Sequence, residues 1–496
     1  MMLLPQDLSL RARLARSIFW IAWSRGVVQV FAFATTLLVA RILEPADYGV
    51  MAIASIFTVT TGMLAEMGLG AAIIQFRDLD RRELNTCFWI TMMLATSVYA
   101  ALFLASPTIA HWFAVPRLAE LLPVAALVLP ITACSVVSDG LLRKRLAFDR
   151  VSQAEIFASL ITMPATLGCA LAGLGVWALV VGSLVAPAVR SVATVAFSPW
   201  HPGLHLGGKR IKEVLQFSLA TLGVKMLWIL REDADVVVVG KVTGDVTVGL
   251  YSMAKELALL PTNKISAMVN MVSSPVMAEL QTDIDAMRVA FYRAVRLTAV
   301  IAVPMSVGMA LVADEMVAVL LGPKWSPAVP VLRLLCAYAA VRAIDVLLPP
   351  VLFARRRQRF LFWYFLTLLL VVPAAALLGS LWDGVKGVVI FSTLVYCAVM
   401  TTMAKEALAE LKGGLSELWT ETWPIFAAGA TMAAAVFLVR DFMMAGRLEP
   451  PLVRLVLSSV IGATTYCSTL LTIGSPVISE GAQVVGWIIR VRRQHS

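Results

Sequence analysis

The sequence predicts an all-α, polytopic membrane protein of about 14 transmembrane helices, built as two six-helix lobes with two appended C-terminal helices. Three observations predict this fold. Of the 496 residues, 60% are hydrophobic and 15% are charged, whereas soluble domains average roughly 25% charged residues. Apolar stretches of membrane-spanning length recur along the whole chain. Segments of the first half also reappear in the second half, which indicates a duplicated membrane protein.

Each apolar stretch of about 20 residues is long enough to cross the hydrocarbon core as a helix. In order, the predicted spans are 17–40, 47–67, 84–106, 118–138, 151–173, 175–197, 212–233, 246–274, 290–312, 328–350, 358–379, 385–404, 421–440 and 452–473. The first span is too long for a signal-peptide core and lacks a convincing cleavage site, so we expect it to remain as the first helix. Residues 5–16 are a candidate amphipathic helix on the inner membrane surface.

The internal repeat is visible at two offsets. At an offset of about 200 residues, Arg25 matches Lys225 and Gly49 matches Gly249; at about 209 residues, the run 175–180 matches 384–389. Six spans per copy is an even number, so both copies enter the membrane in the same direction and are related by an axis along the membrane normal. We expect two lobes that expose a central cleft alternately to the two sides.

The repeat and the linker after it set the predicted domain organisation. It consists of a cytoplasmic N-terminal segment at 1–16, an N-lobe at 17–205, a C-lobe at 206–412, helices 13 and 14 at 413–475, and a basic cytoplasmic tail at 476–496. The last two helices follow the Lys412-Gly413-Gly414 linker and have no counterpart in the first copy.

The positive charges predict the orientation. By the predicted spans, roughly 25 Lys and Arg residues lie on the side of the N-terminus and roughly 8 on the other side, so both termini are expected in the cytoplasm. The net charge of +10 therefore reflects membrane insertion and anionic headgroups. It does not indicate nucleic-acid binding.

Several short segments resemble a known family. They are Ala40-Arg41-Ile42-Leu43-Glu44-Pro45-Ala46-Asp47-Tyr48-Gly49, Ala72-Ile73-Ile74-Gln75-Phe76, Leu84-Asn85-Thr86-Cys87-Phe88-Trp89, Gly175-Val176-Trp177-Ala178-Leu179, Ser198-Pro199-Trp200, Gly249-Leu250-Tyr251-Ser252 with Leu260-Pro261, and Leu321-Gly322-Pro323-Lys324-Trp325. Together they resemble the polysaccharide-transporter family of lipid-linked oligosaccharide flippases, in its branch of colanic-acid and lipopolysaccharide exporters. This family belongs to the multidrug, oligosaccharidyl-lipid and polysaccharide exporter superfamily.

The resemblance implies a function and a location. A member would move an undecaprenyl-pyrophosphate-linked oligosaccharide from the inner to the outer leaflet of the bacterial inner membrane. Its expected partners are that substrate, membrane lipids and other glycan-assembly proteins. This chain departs from the family in one place. Near Lys255-Glu256 the family commonly has an aromatic residue followed by a basic one, whereas in this chain a basic residue is followed by an acidic one.

Cations inside the predicted spans are the first candidate site residues. A charge at mid-membrane costs about 2.5–3.5 kcal/mol on insertion scales, so each needs a reason. Arg25 lies roughly 12 Å below the cytoplasmic surface by helix rise, and Lys225 occupies the same repeat position. Lys264 is expected at a similar depth, and Lys255 is added from the resemblance. These four side chains are predicted to bind the pyrophosphate, with snorkelling to the headgroups as the alternative.

Charged pairs are the second set of candidates. Arg231 and Asp235 are spaced for an intrahelical ion pair that closes the outer gate. The alternative is that Asp233 or Asp235 carries a coupling proton or Na⁺. Arg342 and Asp345 form a similar pair, for which a structural role is favoured. Glu66 is a candidate interfacial carboxylate at the inner end of the second span.

Other patterns point away from enzymatic chemistry. Residues 203–209 match part of a phosphate-binding loop, but Arg210 replaces the magnesium-binding hydroxyl residue and no strand precedes the loop. The four histidines are scattered, and the six cysteines all fall in apolar segments, where we expect small buried side chains. No cofactor and no metal are expected. The alternatives kept open are export of a peptidoglycan precursor or a small molecule on the same fold and, less favoured, a membrane-embedded glycan polymerase or ligase.

Overall fold

A computed structural model describes residues 26, 28–76, 79–445 and 450–473. The described part is helical and contains no strand. The first helices are α1 (Val28–Ile42), α2 (Pro45–Glu66), α3 (Leu69–Gln75), α4 (Arg81–Phe113), α5 (Leu118–Ala125), α6 (Val128–Ala133), α7 (Val136–Lys144), α8 (Phe148–Leu171), α9 (Val176–Phe197), α10 (Ile211–Glu232) and α11 (Ala234–Thr243). They are followed by α12 (Asp245–Glu279), α13 (Ile284–Leu311), α14 (Ala313–Leu320), a 3₁₀ turn (Pro323–Ala328), α15 (Val329–Asp345), α16 (Leu348–Ala354), α17 (Gln358–Glu410), α18 (Leu415–Ala445) and α19 (Pro451–Ile473).

Within the described residues, eight helices are long and apolar enough to cross a membrane, or nine if one bent helix pair counts as a span. The chain is therefore a multi-pass membrane protein. The count of about fourteen spans stays a prediction. Two of the remaining predicted spans are occupied by α10 and α12. The predicted N-terminal amphipathic helix and the basic tail at 476–496 lie outside the described residues.

The predicted spans 358–379 and 385–404 form one long helix with a break. Asp383 and Gly384 leave the helical conformation, and a Cβ atom on Gly379 would lie 2.2 Å from the carbonyl oxygen of Gly387. Residues eight apart in a straight helix are separated by roughly 12 Å. The chain therefore reverses at the break, and two helical segments pack closely as a hairpin.

The chain divides into two compact units, Met1–Gly249 and Leu250–Ser496. The first unit contains α10 and α11, which the repeat assigns to the second lobe. α10 contacts α2 and α3, and a core of apolar side chains from α3, α4, α7 and α10 holds these helices together. Its fully buried members are Leu69, Ala72, Ile73, Cys87, Val137 and Val214. The predicted lobe boundary at 205/206 stays a prediction.

In the second unit, the appended helices α18 and α19 pack against α13. Their shared core contains Ala299, Val303, Ile425, Ala428, Met432, Val436, Tyr466 and Leu470. Ion pairs join α18 to α13 near the start of α18 and to α14 near its end. Arg288 and Arg296 of α13 bind carboxylates of α18, and Arg440 of α18 binds Asp314 and Glu315 of α14.

One expectation about the cysteines is wrong. Cys87 and Cys336 are buried, but Cys134 and Cys467 are exposed. An apolar segment of a membrane helix has a core-facing and an outward-facing side, and both are apolar. Hydrophobicity alone therefore does not separate a buried cysteine from an exposed one.

Candidate functional site

The first unit contains a cavity of about 680 Å³ among α2, α3, α6, α7 and α9. Four charged side chains line it: Glu66, Asp139, Arg143 and Arg190. Charges are costly inside a membrane protein and concentrate where they bind a partner, a substrate or water. We therefore consider this cavity as the candidate site.

Asp139 bridges the two arginines. The Nε atom of Arg143 donates to Oδ2 of Asp139 at 2.6 Å, and Nη2 of Arg143 lies 3.4 Å from Oδ1. The Nη2 atom of Arg190, on a different helix, donates to the same Oδ1 at 3.1 Å. The three side chains are 24% (Asp139), 35% (Arg143) and 41% (Arg190) exposed. All three thus reach the cavity and bind one another at the same time.

A bend in the chain places Asp139 and Arg143 at the cavity. The segment Leu118–Ala133 and the helix α7 meet at an angle of 42°, and Asp139 lies in the first turn of α7. The positive end of the helix dipole stabilises a carboxylate there. Arg143 follows four residues later, on the same helix face.

The close approach of α7 to α3 depends on a small residue. A Cβ atom on Gly140 would lie 3.1 Å from Cγ2 of Ile73, so a larger side chain would push the helices apart. At the end of α7, Nζ of Lys144 donates to the carbonyl oxygen of Phe76 at 2.6 Å. These two contacts fix the helix that carries Asp139 and Arg143.

Hydroxyl groups make up much of the remaining polar lining. The lining residues with hydroxyl groups are Ser55, Thr58, Thr91, Thr132, Ser135, Ser183 and Ser191. Ser135 and Ser191 bind each other, with their Oγ atoms 2.9 Å apart. Hydroxyl and guanidinium groups together are suited to phosphate and saccharide oxygens.

Glu66 lies at the edge of this cavity, at the C-terminal end of α2. The helix stops there because Met67 and Gly68 adopt left-handed conformations, with φ of 50° and 68°. A carboxylate at a helix C-terminus opposes the helix dipole. Glu66 is exposed and close enough to act electrostatically on Arg143. Its predicted role as an interfacial carboxylate stays a prediction.

The predicted pyrophosphate ligands are only partly described. Arg25 lies outside the described residues, and so does the side chain of Lys225, whose backbone belongs to α10. Lys255 and Lys264 both lie on α12, where Lys255 is buried and Lys264 is exposed. Pro261 lies between them in the helix, so the directions of the two side chains do not follow from their spacing alone. Their shared role in one site stays a prediction.

The predicted gate residues lie at a helix break. α10 ends at Glu232 and α11 begins at Ala234, so Arg231 and Asp235 belong to different helices and the single-helix spacing argument does not apply. Arg231 is buried and lies 3.3 Å from Oε2 of Glu232, and Oδ1 of Asp235 accepts a bond from its neighbour's backbone. Asp233 occupies the break itself, with φ of −112° and ψ of 11°.

Arg342 and Asp345 lie in a buried polar cluster of the second unit. The carboxylate of Asp345 accepts bonds from the hydroxyl groups of Tyr364 at 3.2 Å and Tyr396 at 2.5 Å. Arg342 donates to the hydroxyl of Tyr338 at 3.2 Å, and the Tyr338 and Tyr396 rings pack edge to face. Hydroxyl donors stabilise a buried carboxylate. The structural role favoured for Arg342 and Asp345 stays a prediction.

Two residues of the cavity were missed by the sequence reasoning. Asp139 lies one residue beyond the predicted span 118–138, and Arg190 lies inside the predicted span 175–197. Arg143 is one of the Lys and Arg residues that the predicted spans place on the cytoplasmic side. The signals were present: Arg190 is a mid-span cation like Arg25, and Asp139 and Arg143 have ion-pair spacing.

Comparison with known proteins places the chain in a family. Residues 38–330 match the family described as "Polysaccharide biosynthesis protein". The chain belongs to this family.

Two relatives extend the match along most of the chain. An "Uncharacterized membrane protein in cps region" of Klebsiella pneumoniae is 27% identical over 386 residues, which are 77% of this chain and 80% of the relative. The "Lipopolysaccharide biosynthesis protein WzxC" of Escherichia coli (strain K12) is 26% identical over 394 residues, which are 78% and 79% of the two chains.

Two solved structures share the fold. The lipid II flippase MurJ in an inward closed conformation has a TM-score of 0.74 at 12% identity, covering 93% of this chain and 100% of that chain. An inward-facing multidrug resistance transporter of the MATE family and the MOP superfamily has a TM-score of 0.60 at 14% identity, covering 78% and 96%. At these identities the likeness shows the fold alone, and it agrees with the all-α, polytopic class expected from the sequence.

Proposed function

We propose that this protein is a flippase that moves an undecaprenyl-pyrophosphate-linked oligosaccharide from the inner to the outer leaflet of the bacterial inner membrane. The product would feed exopolysaccharide, capsule or lipopolysaccharide assembly. Membership of the polysaccharide biosynthesis family carries the proposal. The relative named for lipopolysaccharide biosynthesis and the fold shared with a lipid II flippase support it.

The candidate site supports transport of a polar, phosphorylated headgroup. A flippase must hold phosphate and sugar groups inside a membrane protein, where an unsatisfied polar group costs several kcal/mol. The cavity of the first unit offers guanidinium and hydroxyl donors for both. An alternating-access cycle then exposes the headgroup first to the cytoplasm and later to the outer side.

The finer features of the proposal are orientation, location and partners. We expect both termini in the cytoplasm, because the predicted loops on the side of the N-terminus carry most of the Lys and Arg residues, and such loops face the cytoplasm. Other glycan-assembly proteins are the expected neighbours, since the flipped oligosaccharide is a substrate for later enzymes. Cysteine labelling of the single-cysteine variants Ser9→Cys and Ser496→Cys in intact cells and in inverted vesicles tests the orientation.

The charged residues predicted from the sequence carry out substrate binding and gating in this proposal. Arg25, Lys225, Lys264 and Lys255 bind the pyrophosphate. Arg231, Asp233 and Asp235 act at the outer gate or in H⁺ or Na⁺ coupling. Arg342 and Asp345 have a structural role near the gate, Glu66 is an interfacial carboxylate, and no cofactor is involved.

The deciding experiment is a chromosomal deletion with complementation. We expect the deletion to abolish one surface polysaccharide and to leave its lipid-linked repeat unit on the cytoplasmic leaflet. Restoring the wild-type gene should restore export. A deletion strain with normal surface polysaccharides and a new sensitivity to small toxic compounds would instead favour drug export. Arrest of peptidoglycan synthesis would favour a peptidoglycan precursor.

A further inference from the structure

We infer that Asp139 is an exchangeable internal counter-ion: it occupies Arg143 and Arg190 in the empty cavity and is displaced when a phosphate of the substrate binds both guanidinium groups. This inference rests on the proposed function for its substrate class. It adds a second phosphate subsite, in the first unit, to the residues proposed from the sequence.

Arg143 and Arg190 have more N–H donors than Asp139 can use. Two guanidinium groups carry ten N–H donors between them, and in the described part of the chain three contacts join them to Asp139. The remaining donors of two half-exposed side chains face a cavity. Each phosphate of a lipid-linked pyrophosphate has two non-bridging oxygens, and each of these oxygens can accept more than one hydrogen bond, so one phosphate can bind both arginines.

Asp139 is held by one contact within its own helix and one contact to another helix. Arg143 is its neighbour on the same helix, four residues away, so this contact is local. Arg190 comes from α9 and reaches Oδ1 of Asp139 with one nitrogen at 3.1 Å. Asp139 itself is one quarter exposed. The contact of Asp139 with α9 is therefore a single hydrogen bond at the cavity surface, which a stronger acceptor can replace.

Asp139 also allows the substrate to be released. Two unopposed arginines in a membrane cavity would hold a pyrophosphate strongly, and a transporter has to let its substrate go. A carboxylate that returns to the arginines lowers the net affinity and restores the empty state. Glu66, at the edge of the same cavity, adds a second negative charge that repels the anion. Charge exchange thus keeps binding reversible.

The test measures binding of farnesyl pyrophosphate to the purified full-length protein in lipid nanodiscs. If Asp139 competes with phosphate, Asp139→Asn binds the probe roughly tenfold more tightly, because the hydrogen-bonded charge pair no longer has to be broken. Arg143→Gln and Arg190→Gln bind it roughly tenfold more weakly. Arg145→Gln is the matched control, since Arg145 is exposed two residues further along and does not line the cavity.

A purely structural ion pair gives a different result. In that case Asp139→Asn lowers stability and does not increase affinity. We also expect the gain from Asp139→Asn to disappear in the Arg190→Gln background, because the competing contact is already lost. An Asp139→Asn protein that is folded and binds the probe no more tightly than the wild type overturns the inference.

A second measurement needs no variant. Phenylglyoxal modifies accessible arginine side chains, and mass spectrometry locates the modified residues. Farnesyl pyrophosphate is expected to protect Arg143 and Arg190 of the wild-type protein and to leave Arg145 reactive, whereas farnesol protects none of them. Equal modification of Arg143 and Arg190 with and without the pyrophosphate contradicts the subsite.

These results are separable from the proposed function. If the deletion strain exports its polysaccharides normally but Arg143 and Arg190 are protected by pyrophosphate, the subsite stands and the physiological substrate is another one. If the deletion abolishes export but neither arginine is protected, the flippase proposal stands and the counter-ion inference fails.

Discussion

Gly175 and Gly384 adopt the same unusual backbone conformation. Gly175 has φ of 56° and ψ of −131°, and Gly384 has φ of 51° and ψ of −130°. Each lies between two helical segments that reverse direction, and the sequence repeat matches the two positions at an offset of about 209 residues. Agreement at a conformation that side chains with a Cβ atom avoid supports an internal duplication.

Replacing either glycine with alanine should destabilise the protein. A Cβ atom on Gly384 meets no atom within 4 Å, so the cost comes from the backbone alone, about 1–3 kcal/mol. Thermal unfolding of the purified protein should show a lower midpoint for Gly175→Ala and for Gly384→Ala.

Gly168→Ala is the control for this comparison. Gly168 lies in α8, and a Cβ atom there also meets nothing within 4 Å, but its backbone is helical. Alanine is favoured over glycine in a helix by about 0.5–1 kcal/mol, so this variant should be as stable as the wild type or more stable. Equal midpoints for Gly384→Ala and Gly168→Ala would refute the backbone argument.

A second pair of repeat-related glycines touches directly. A Cβ atom on Gly49 would lie 1.8 Å from the carbonyl oxygen of Asp245, and one on Gly249 would lie 1.8 Å from that of Pro45. Gly249→Ala must therefore push the first turns of α2 and α12 apart, at a cost of about 1–3 kcal/mol for overpacking. The measurement is again the unfolding midpoint. Gly308→Ala, whose added atom would meet only Met432 at 3.9 Å in helix α13, should not lower it.

The ion pair between Arg296 and Glu421 should anchor the appended helices. The pair is 2.5 Å long, and its side chains are 11% and 32% exposed, so water screens it less than a surface pair. A double-mutant cycle with Arg296→Gln and Glu421→Gln should give a coupling energy of about 0.5–3 kcal/mol from SDS unfolding titrations.

The exposed pair Arg210 and Glu213 is the reference for that cycle. It is 3.6 Å long with side chains 44% and 61% exposed, and exposed pairs contribute about 0–1 kcal/mol. A coupling energy for Arg296 and Glu421 no larger than that of the reference pair would mean that apolar packing alone holds α18 in place.

The sequence predicted the fold class because its signals are local. Hydrophobic length located most of the helices, and the internal repeat matched Gly175 with Gly384. It did not predict that a separate helix, α11, begins directly after Asp233, or that the span at 118–138 is divided into three short helices. Those breaks depend on packing among helices distant in sequence, which hydropathy does not encode.

The candidate site was predicted only in its chemistry. Intramembrane cations were expected to bind phosphate, yet Asp139, Arg143 and Arg190 were not grouped, because two of them lie on α7 and the third on α9, about 50 residues later by chain position. An ion pair within one helix is visible from spacing. A contact between helices requires the fold, and that is why Arg190 was missed.

Arg25 and Lys225 share one repeat position and one predicted membrane depth. An alanine or leucine would insert there more cheaply than a cation by about 2.5–3.5 kcal/mol, so packing alone does not account for two positive charges. A desolvated pyrophosphate does require them. Arg25→Ala should therefore abolish export of the surface polysaccharide at normal protein level, and Arg25→Lys should keep part of it, because lysine supplies the charge without the bidentate geometry. Lys225→Ala should have a weaker effect alone and an additive or greater one with Arg25→Lys.

The measurement is the amount of surface polysaccharide relative to the amount of membrane-inserted protein, with Arg145→Gln as the charge-matched control. Normal polysaccharide in the Arg25→Ala strain at matched expression would show that the cation at this repeat position is not needed for the substrate.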